Sequence, residues 1–368
     1  MLRRLLRPPP HSARGPAVVV DCVIVGAGQA GLAMAQGLQQ AGLSYRLLEA
    51  QAQSGGSWAA YYDSLSLFSP ARYSALPGLD FPGDPDAYPS RDQVVRYLHD
   101  YAEHFGLQVL TGQRVLRVTR QEAALFQVDT AGGERLQART LVVASGAFAE
   151  PYMPELPGLS AFKGQVLHSR DYRSPAPFTG QRVLVVGGAN SAVQIAFELA
   201  ASSHVTLASR RKIRFLPQRV LGRDFHFWLR LSGLDRTRWL SDQSTPVLDD
   251  GRYRRALTSG LLQRRPMFEQ ITPDGVRWSD GSPEAVDVLL FATGFRPRLP
   301  YLSSLQATDG QGRLRQQQGI GTAEPGLYFI GFPRQRNFAS ATLRGVGPDA
   351  AHVLRHLQGY LLARGTMA

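Results

Sequence analysis

Thiols, metal-ligand motifs and long apolar runs are scarce in this sequence, and each absence excludes a class of function. The 368 residues include one cysteine, Cys22, so a C-x-x-C pair and the disulfide-relay chemistry that needs it are excluded within the chain. Eight histidines form no H-E-x-x-H motif, and the pair His352 and His356 has no third ligand, which predicts no metal site. No apolar run approaches the roughly 18 residues that would predict a membrane span.

Lysine is also scarce, although the chain is strongly basic. Only Lys163 and Lys212 are lysines among the 41 basic residues, and the formal net charge is +12. Such a charge is typical of proteins that bind nucleic acids or membranes, but here the charges are scattered rather than clustered, so we expect no nucleic-acid partner. Residues 1–17 are basic and lack the apolar segment of a secretory signal, which predicts a disordered tail and a cytoplasmic protein.

Strand-like and helix-like segments alternate from Val18 onward, which predicts an α/β fold with parallel strands. The run AVVVDCVIV at 17–25 is nearly all apolar, as expected for a strand buried on both faces. The segment 31–42 predicts a helix that Gly42 terminates. A second strand, turn and helix of the same design follow at 183–200.

Three further segments carry local signals. Ser90 and Gln93 have the spacing of a capping box, which predicts a helix start. The segment PDAAHVLRHLQGYLLA at 348–363 predicts the closing helix. The stretch DFHFWLRLSGL at 224–234 is interpreted as a helix packed at a domain interface or over a substrate entrance.

The turn after the first strand is the strongest functional signal. Gly26, Gly28 and Gly31 form a G-x-G-x-x-G pattern that follows a strand and opens a helix. The first glycine allows the tight turn, the second lets the backbone approach a pyrophosphate, and the third allows close helix–strand packing. Glu49 ends the next strand, where an acid binds a ribose. This unit predicts an FAD site.

The turn in the second unit has the same context but two differences. Ala189 stands at the middle glycine position, where its Cβ points toward the expected phosphate and weakens or displaces the nucleotide. No acid ends the following strand; Arg210 and Arg211 stand there instead, which favours the 2′-phosphate of NADPH. The alternative is that both arginines are simply solvated. Two dinucleotide sites in one chain imply hydride transfer between NADPH and FAD.

The stretch FKGQVLHSRDY at 162–172 lies between the two glycine-rich turns and is, on its own, equally compatible with a polar linker. It matches F-x-G-x-x-x-H-x-x-x-(W/Y) at Phe162, Gly164, His168 and Tyr172. With the two turns, it makes the chain resemble class B flavin-containing monooxygenases over residues 18–362. Within that class it resembles the auxin-synthesis enzymes and the bacterial flavoproteins linked to cation transport or arsenic resistance.

The resemblance implies two Rossmann-like dinucleotide-binding domains, with the NADPH domain inserted into the FAD domain. It places the FAD domain at 18–160 and 286–368 and the NADP domain at 161–285, with His168 in the hinge between them. No catalytic residue is assigned. The implied cofactor-binding residues are Gly26, Gly28, Gln29, Ala30, Gly31, Glu49, Gly56, Ser57, Trp58, Val115, His168, Gly187, Ala189, Asn190, Ser191, Arg210, Arg211, Thr293, Gly294 and Asp349.

The resemblance also implies a reaction. NADPH reduces FAD, the reduced flavin reacts with O₂, and the resulting C4a-hydroperoxyflavin oxygenates a small-molecule substrate. Arg72, Phe68 and Trp58 are candidates for the substrate side. The segment 67–77 lacks the asparagine that animal-type amine oxygenases carry over the flavin, which argues against N-oxygenation of amines. A homodimer is one candidate assembly.

Two alternative functions remain open from the sequence. One is an NADPH-dependent flavin or quinone reductase that never oxygenates a substrate. The other is a flavoprotein regulator of ion or metalloid transport, for which the apolar stretch FHFW at 225–228 would serve as a docking segment.

Overall fold

The computed structural model describes residues 19–237 and 246–365, so the predicted basic tail at 1–17 lies outside the described residues. The helices are α1 (Gln29–Gln40), α2 (Arg91–His104), α3 (Asn190–Leu199), α4 (Phe225–Ser232), α5 (Arg252–Thr258) and α6 (Leu343–Ala363). The strands are β1 (Val19–Val25), β2 (Tyr45–Leu48), β3 (Val109–Leu110), β4 (Val115–Arg120), β5 (Phe126–Thr130), β6 (Arg135–Val143), β7 (Glu150–Pro151), β8 (Gln165–His168), β9 (Arg182–Val186), β10 (His204–Ser209), β11 (Phe215–Pro217), β12 (Arg219–Val220), β13 (Arg223–Asp224), β14 (Val247–Asp249), β15 (Gln263–Pro266), β16 (Gln270–Thr272), β17 (Gly275–Arg277), β18 (Pro283–Ala285), β19 (Val288–Phe291), β20 (Phe295–Arg296), β21 (Gln316–Gln317), β22 (Ile320–Gly321) and β23 (Leu327–Phe329).

The larger sheet is parallel at its centre, where the strand order is β23-β6-β1-β2-β3. Strand β5 joins β6 antiparallel and carries β4, while β22 and β21 extend the β23 edge. The central strand β1 is the run that the sequence predicts to be buried on both faces, and Cys22, Val23 and Ile24 in it are fully buried. Continuous burial explains why this strand lacks apolar–polar alternation.

The smaller sheet has five strands, all parallel, in the order β15-β10-β9-β19-β8. All of its strands lie between Gln165 and Phe291 in the sequence, whereas the larger sheet uses strands before and after that segment. The second α/β unit is therefore inserted into the first. The predicted fold class is confirmed.

One strand joins a different sheet from the one that the predicted domain bounds imply. The sequence places the return to the first domain at residue 286, but β19 (Val288–Phe291) lies between β9 and β8 in the smaller sheet. A strand buried on both faces has the same apolar pattern in either sheet, so its sequence does not reveal which sheet it joins.

Two of three predicted helix ends lie where the sequence places them. Ser90 and Gln93 make both hydrogen bonds of the predicted capping box at the start of α2. Gly42 follows α1 in a left-handed conformation, as predicted. Helix α6, predicted to start at 348, begins at Leu343, since the Thr342 hydroxyl accepts the Gly345 N–H and caps it. None of the described helices is long and apolar enough to cross a membrane.

Candidate dinucleotide-binding site

A single large cavity joins the two glycine-rich turns. Helix α1 begins just after β1 and helix α3 just after β9, so both turns lie at the carboxyl ends of parallel strands, where α/β folds bind ligands. The cavity has a volume of about 2170 Å³. This exceeds the roughly 300–1,000 Å³ of an ordinary small-molecule pocket, so it has room for two extended ligands.

The three glycines of the first turn have different surroundings. Gly26 has φ of +104°, and a Cβ there would lie 2.7 Å from the Ala144 carbonyl oxygen. A Cβ at Gly31 would overlap the Gly26 carbonyl oxygen, whereas the nearest atom to a Cβ at Gly28 is 3.7 Å away. Gly26 and Gly28 line the cavity and Gly31 does not. Gly28 therefore leaves its space to a ligand, while Gly31 permits helix–strand packing.

Glu49 lies at the cavity wall at the end of β2 and is buried. One carboxylate oxygen accepts the N–H of Ala27 at 2.8 Å and the other accepts the N–H of Gln51 at 2.9 Å. These bonds hold the carboxylate beside the first turn. Each oxygen keeps a lone pair, so Glu49 can still accept a hydrogen bond from a ribose hydroxyl.

Residues 55–58, with the sequence GGSW, pack over the first turn, and a short 3₁₀ helix, Gly56–Ala60, begins within them. The Trp58 indole N–H donates to the Gln29 side-chain oxygen at 3.0 Å, and the Gln29 amide donates to the Ala341 carbonyl at 2.6 Å. Gln29 thus connects three chain segments at one place. The predicted residues Gln29, Ala30, Gly56, Ser57, Trp58 and Val115 all line the cavity.

The second turn lines the opposite part of the cavity with Gly187, Ala189, Asn190 and Ser191. Gly187 is required by close packing, because a Cβ there would lie 2.9 Å from the Ala192 Cβ. Ala189 is the N-cap residue of α3 and has extended backbone with no side-chain cap. The first amides of α3 are therefore left for a ligand, although the Ala189 methyl group narrows the approach.

Positive charge dominates the cavity wall. Arg210 and Arg211 follow β10 and are exposed on that wall. Among the described lining residues Glu49 is the one acid, whereas ten are basic. The basic lining residues are Arg114, Arg170, Arg173, Arg210, Arg211, Lys212, Arg214, Arg298, Arg334 and Arg344. Such a wall favours polyanionic ligands, and nucleotide pyrophosphates and phosphates have that charge.

His168 lies at the end of β8 and does not line the cavity. The residue is 1% exposed. Its ring nitrogen Nε2 lies 3.0 Å from the Gly294 carbonyl oxygen, and Nδ1 accepts the Arg170 N–H at 3.1 Å. This pairing fits the neutral ring with the proton on Nε2. Burial lowers the pKa of His168 below its ordinary value. His168 therefore links the end of β8 to the segment that contains Gly294. Thr293 and Gly294 of that segment line the cavity.

Two other predicted residues also lie outside the cavity wall. Asp349 is fully buried in α6, where its carboxylate accepts from the Arg336 guanidinium at 3.0 Å. The start of α6, at Leu343 and Arg344, lines the cavity instead, because the helix begins five residues before the predicted start. Arg72 pairs with Asp86 at 2.8 Å outside the cavity, whereas the other substrate-side candidates line it.

Sequence reasoning missed a buried Asp–His pair at the end of the cavity lined by Phe68 and Arg344. His226 lines the cavity, and its Nδ1 lies 2.8 Å from an Asp224 carboxylate oxygen. The ring also stacks with Phe68 and with Tyr73, at centroid distances of 6.0 and 6.2 Å. Burial lowers the pKa of His226. The sequence signal that could have revealed the pair is an aspartate, Asp224, two residues before a histidine, His226, at the start of a helix.

Asp224 is fully hydrogen-bonded around this pair. One oxygen accepts the backbone and ring N–H groups of His226, and the other accepts from Tyr88 at 2.6 Å and from Gln218 at 2.8 Å. Burial alone would raise the pKa of Asp224, but these donors outweigh it and lower the pKa. The ionised carboxylate therefore favours the His226 tautomer that carries its proton on Nδ1.

Relatives of the chain cover nearly its whole length. An uncharacterized CzcO-like oxidoreductase of Geobacillus kaustophilus is 32% identical, over 92% of this chain and 98% of that protein. The indole-3-pyruvate monooxygenase YUCCA4 of Oryza sativa subsp. japonica is 30% identical, over 92% of this chain and 87% of that protein. The structure of a flavin-containing monooxygenase from Stenotrophomonas maltophilia is 33% identical, with a TM-score of 0.84 over 93% and 99% of the chains.

These similarities confirm the resemblance to flavin monooxygenases and CzcO-like oxidoreductases. A profile of a broader family, described as pyridine nucleotide-disulphide oxidoreductase, matches residues 23–331. Dithiol chemistry is excluded here, since Cys22 is the one cysteine and burial raises its pKa to about 12. The match spans both glycine-rich turns and the segment between them. The chain belongs to the pyridine nucleotide-disulphide oxidoreductase family.

Proposed function

We propose that the chain is an NADPH-dependent, FAD-containing monooxygenase that oxygenates a small molecule. The observation that carries the proposal is the single cationic cavity onto which both glycine-rich turns open. One dinucleotide turn would suffice for a simple dehydrogenase. Two turns facing one cavity allow two cofactors to meet.

FAD is proposed for the first turn. Gly26 and Gly28 would leave room for its pyrophosphate beside the backbone N–H groups that begin α1, which would donate to it. Glu49 would accept a hydrogen bond from a ribose hydroxyl. The space left at Gly28, where a Cβ would meet no atom closer than 3.7 Å, fits this assignment. Trp58 and Gln29 would fix the wall beside the flavin, because each is held by the other.

NADPH is proposed for the second turn. Asn190 and Ser191 begin α3 and would offer their backbone N–H groups to the pyrophosphate. Arg210 and Arg211 would bind the 2′-phosphate, and no acid of the described cavity wall lies on that side to favour NADH. His168 is proposed as a positioning residue. It holds the Gly294 segment against β8 from outside the cavity.

FAD, when bound, would supply the chemistry that passes electrons from NADPH to O₂. The protein's own part is to bring the two cofactors together and to exclude water from the reacting end of the cavity. Phe68, His226 and Arg344 form the cavity wall there, and Tyr73 stacks on the His226 ring without lining the cavity. This wall is the proposed substrate side.

The test separates oxygenation from simple reduction. The purified protein would be supplied with NADPH and ¹⁸O₂ in the presence of a panel of small aromatic and aliphatic substrates, and products would be weighed by mass spectrometry. The proposal expects one labelled oxygen in a product, with NADPH consumed in proportion. NADPH consumption with electron acceptors but no labelled product would favour the reductase. A bound flavin that NADPH does not reduce would favour the regulator.

A further inference from the structure

An exposed apolar surface lies on the outer side of the segment Arg219–Arg236, which we call the hairpin–helix surface. Its tip is the turn between β12 and β13, where Leu221 is 86% exposed. Leu231 is 68% exposed and Leu234 is 41% exposed in the same segment. Single exposed leucines are ordinary, but several in one short segment indicate a contact surface.

The residue at the tip does not suit its turn. Leu221 has φ of +49° and Gly222 has φ of +72°, so this two-residue hairpin turn has positive φ at both central positions. Asparagine, aspartate or glycine suits such a position, because a larger side chain meets steric hindrance in the left-handed region. A leucine at position 221 is therefore unfavourable for two reasons: its backbone lies in the left-handed region, and its apolar side chain is exposed to water. The turn alone does not explain a leucine there.

Helix α4 carries its apolar side chains outward as well as inward. His226 and Leu229 are its buried residues. At 100° per residue, Phe227, Trp228 and Leu231 lie on the opposite face. The Trp228 indole N–H donates to the Val220 carbonyl at 3.0 Å, which ties the hairpin to this face. The hairpin tip and the outer face of α4 therefore form one surface.

The charges of this surface all have one sign. Arg219, Arg223, Arg230 and Arg236 are exposed. Both acids of the segment are buried: Asp224 bonds His226, and Asp235 pairs with Arg344 at 3.3 Å. Within Arg219–Arg236 no acid is exposed. Within this segment, the exposed charges near the leucines are therefore all positive.

We propose that the hairpin–helix surface docks on an anionic lipid bilayer. Leu221, Leu231 and Leu234 are exposed, Phe227 and Trp228 beside them are half-buried, and arginines flank them. Exposed apolar side chains flanked by basic ones are a pattern by which proteins insert into the interface of such a membrane. A second copy of this chain fits poorly, because a two-fold contact would oppose arginines to arginines. A concave partner groove is also not required, since Leu221 projects from a two-residue turn. The inference does not depend on the proposed monooxygenase activity.

Docking would place the cavity close to the membrane. His226 lines the cavity from the inner face of α4, while Leu231 lies on the outer face of the same helix. The helix is therefore the layer between the cavity and the proposed lipid surface. An apolar molecule partitioned into the bilayer would have a short path to the end of the cavity.

The test is vesicle co-sedimentation of the full-length protein. Vesicles of phosphatidylcholine alone would be compared with vesicles containing phosphatidylglycerol, at low and high salt. The decisive variant is Leu221→Asn, because asparagine suits the left-handed turn and should leave the thermal midpoint unchanged or higher. The matched control is Leu362→Gln, which removes another exposed leucine, 57% exposed, at the far end of α6.

The proposal predicts salt-sensitive binding to the anionic vesicles and weak binding to the neutral ones. Leu221→Asn should weaken this binding by about tenfold and Arg230→Ser by about fivefold, while Leu362→Gln binds as wild type. No binding to anionic vesicles would overturn the proposal. Equal binding by Leu221→Asn and Leu362→Gln would also overturn it, since attraction would then come from overall charge. A concentration-dependent dimer that Leu221→Asn abolishes, without vesicle binding, would assign the surface to self-association.

Discussion

The glycines of the first turn differ in what a methyl group would meet. A Cβ at Gly31 would overlap the Gly26 carbonyl, whereas a Cβ at Gly28 would meet only ordinary contacts in the protein. Gly28 also has φ of −78°, which alanine adopts freely. Structural and ligand-binding roles can therefore be separated at this turn by two alanine substitutions.

Gly28→Ala should fold normally and lose most of its bound flavin, because the new methyl group points into the proposed pyrophosphate space. Gly31→Ala should instead lower the free energy of unfolding by about 1–3 kcal/mol, as is typical of overpacking, and with it the thermal midpoint or the soluble yield. Flavin-to-protein ratio and thermal unfolding of the apoprotein measure the two effects. Normal flavin content in Gly28→Ala would remove the first turn from the proposed FAD site.

Arg210 and Arg211 set the expected nucleotide preference. Charge-assisted hydrogen bonds to the 2′-phosphate contribute about 1–3 kcal/mol, or roughly 5- to 150-fold in kcat/KM for NADPH over NADH. Replacing both arginines with serine should remove most of that ratio while leaving the rate with NADH nearly unchanged. Equal kinetics of the wild type with both nucleotides would show that the arginines are only solvated.

Helix α3 carries the clearest departure from the expected pattern, at its N-cap Ala189. Glycine at this position would let the phosphate approach the first amides of the helix. Ala189→Gly should therefore lower the KM for NADPH several-fold, with little change in the anaerobic rate of flavin reduction at saturation. A raised KM would show that the alanine methyl group contributes to binding rather than opposing it.

Elements defined by local chemistry were predictable from the sequence. The first glycine turn, the capping box at Ser90 and the stop at Gly42 depend on neighbours within a few residues, and the structure has all three. The sheet that β19 joins depends on its pairing with β9, at Val183, and no local pattern reveals that pairing. The position of Asp349 likewise depends on its ion pair with Arg336, outside its own helix. The Asp224–His226 pair was missed because its role depends on Phe68 and Tyr73, far away in sequence.

At the scale of the whole molecule, His168 connects the smaller sheet to the segment that returns to the larger one. Both ring nitrogens are paired with backbone groups, which supports the proposed positioning role. Burial lowers its pKa below 6.5, with Asp171 opposing and Arg170 adding to that shift. The His168 ring is therefore protonated more readily in the unfolded chain than in the folded chain.

The stability due to His168 should therefore be complete above pH about 6.5 and decline as the pH falls from there toward the lower folded pKa. His168→Gln keeps a donor for the Gly294 carbonyl but does not titrate. We expect it to be about 1 kcal/mol less stable than wild type at pH 8, with a shallower loss of stability between pH 7 and 5. Thermal unfolding across this pH range measures both. Parallel curves for the two proteins would show that His168 is not protonated on unfolding.

Anaerobic titration with NADPH shows whether two cofactors meet in one cavity of this protein. We expect a yellow protein with about one FAD per chain, whose flavin absorbance bleaches as about one equivalent of NADPH is added. NADH should bleach it only at much higher concentration. A colourless protein, or a flavin that NADPH leaves oxidised, would show that the two cofactors do not meet there.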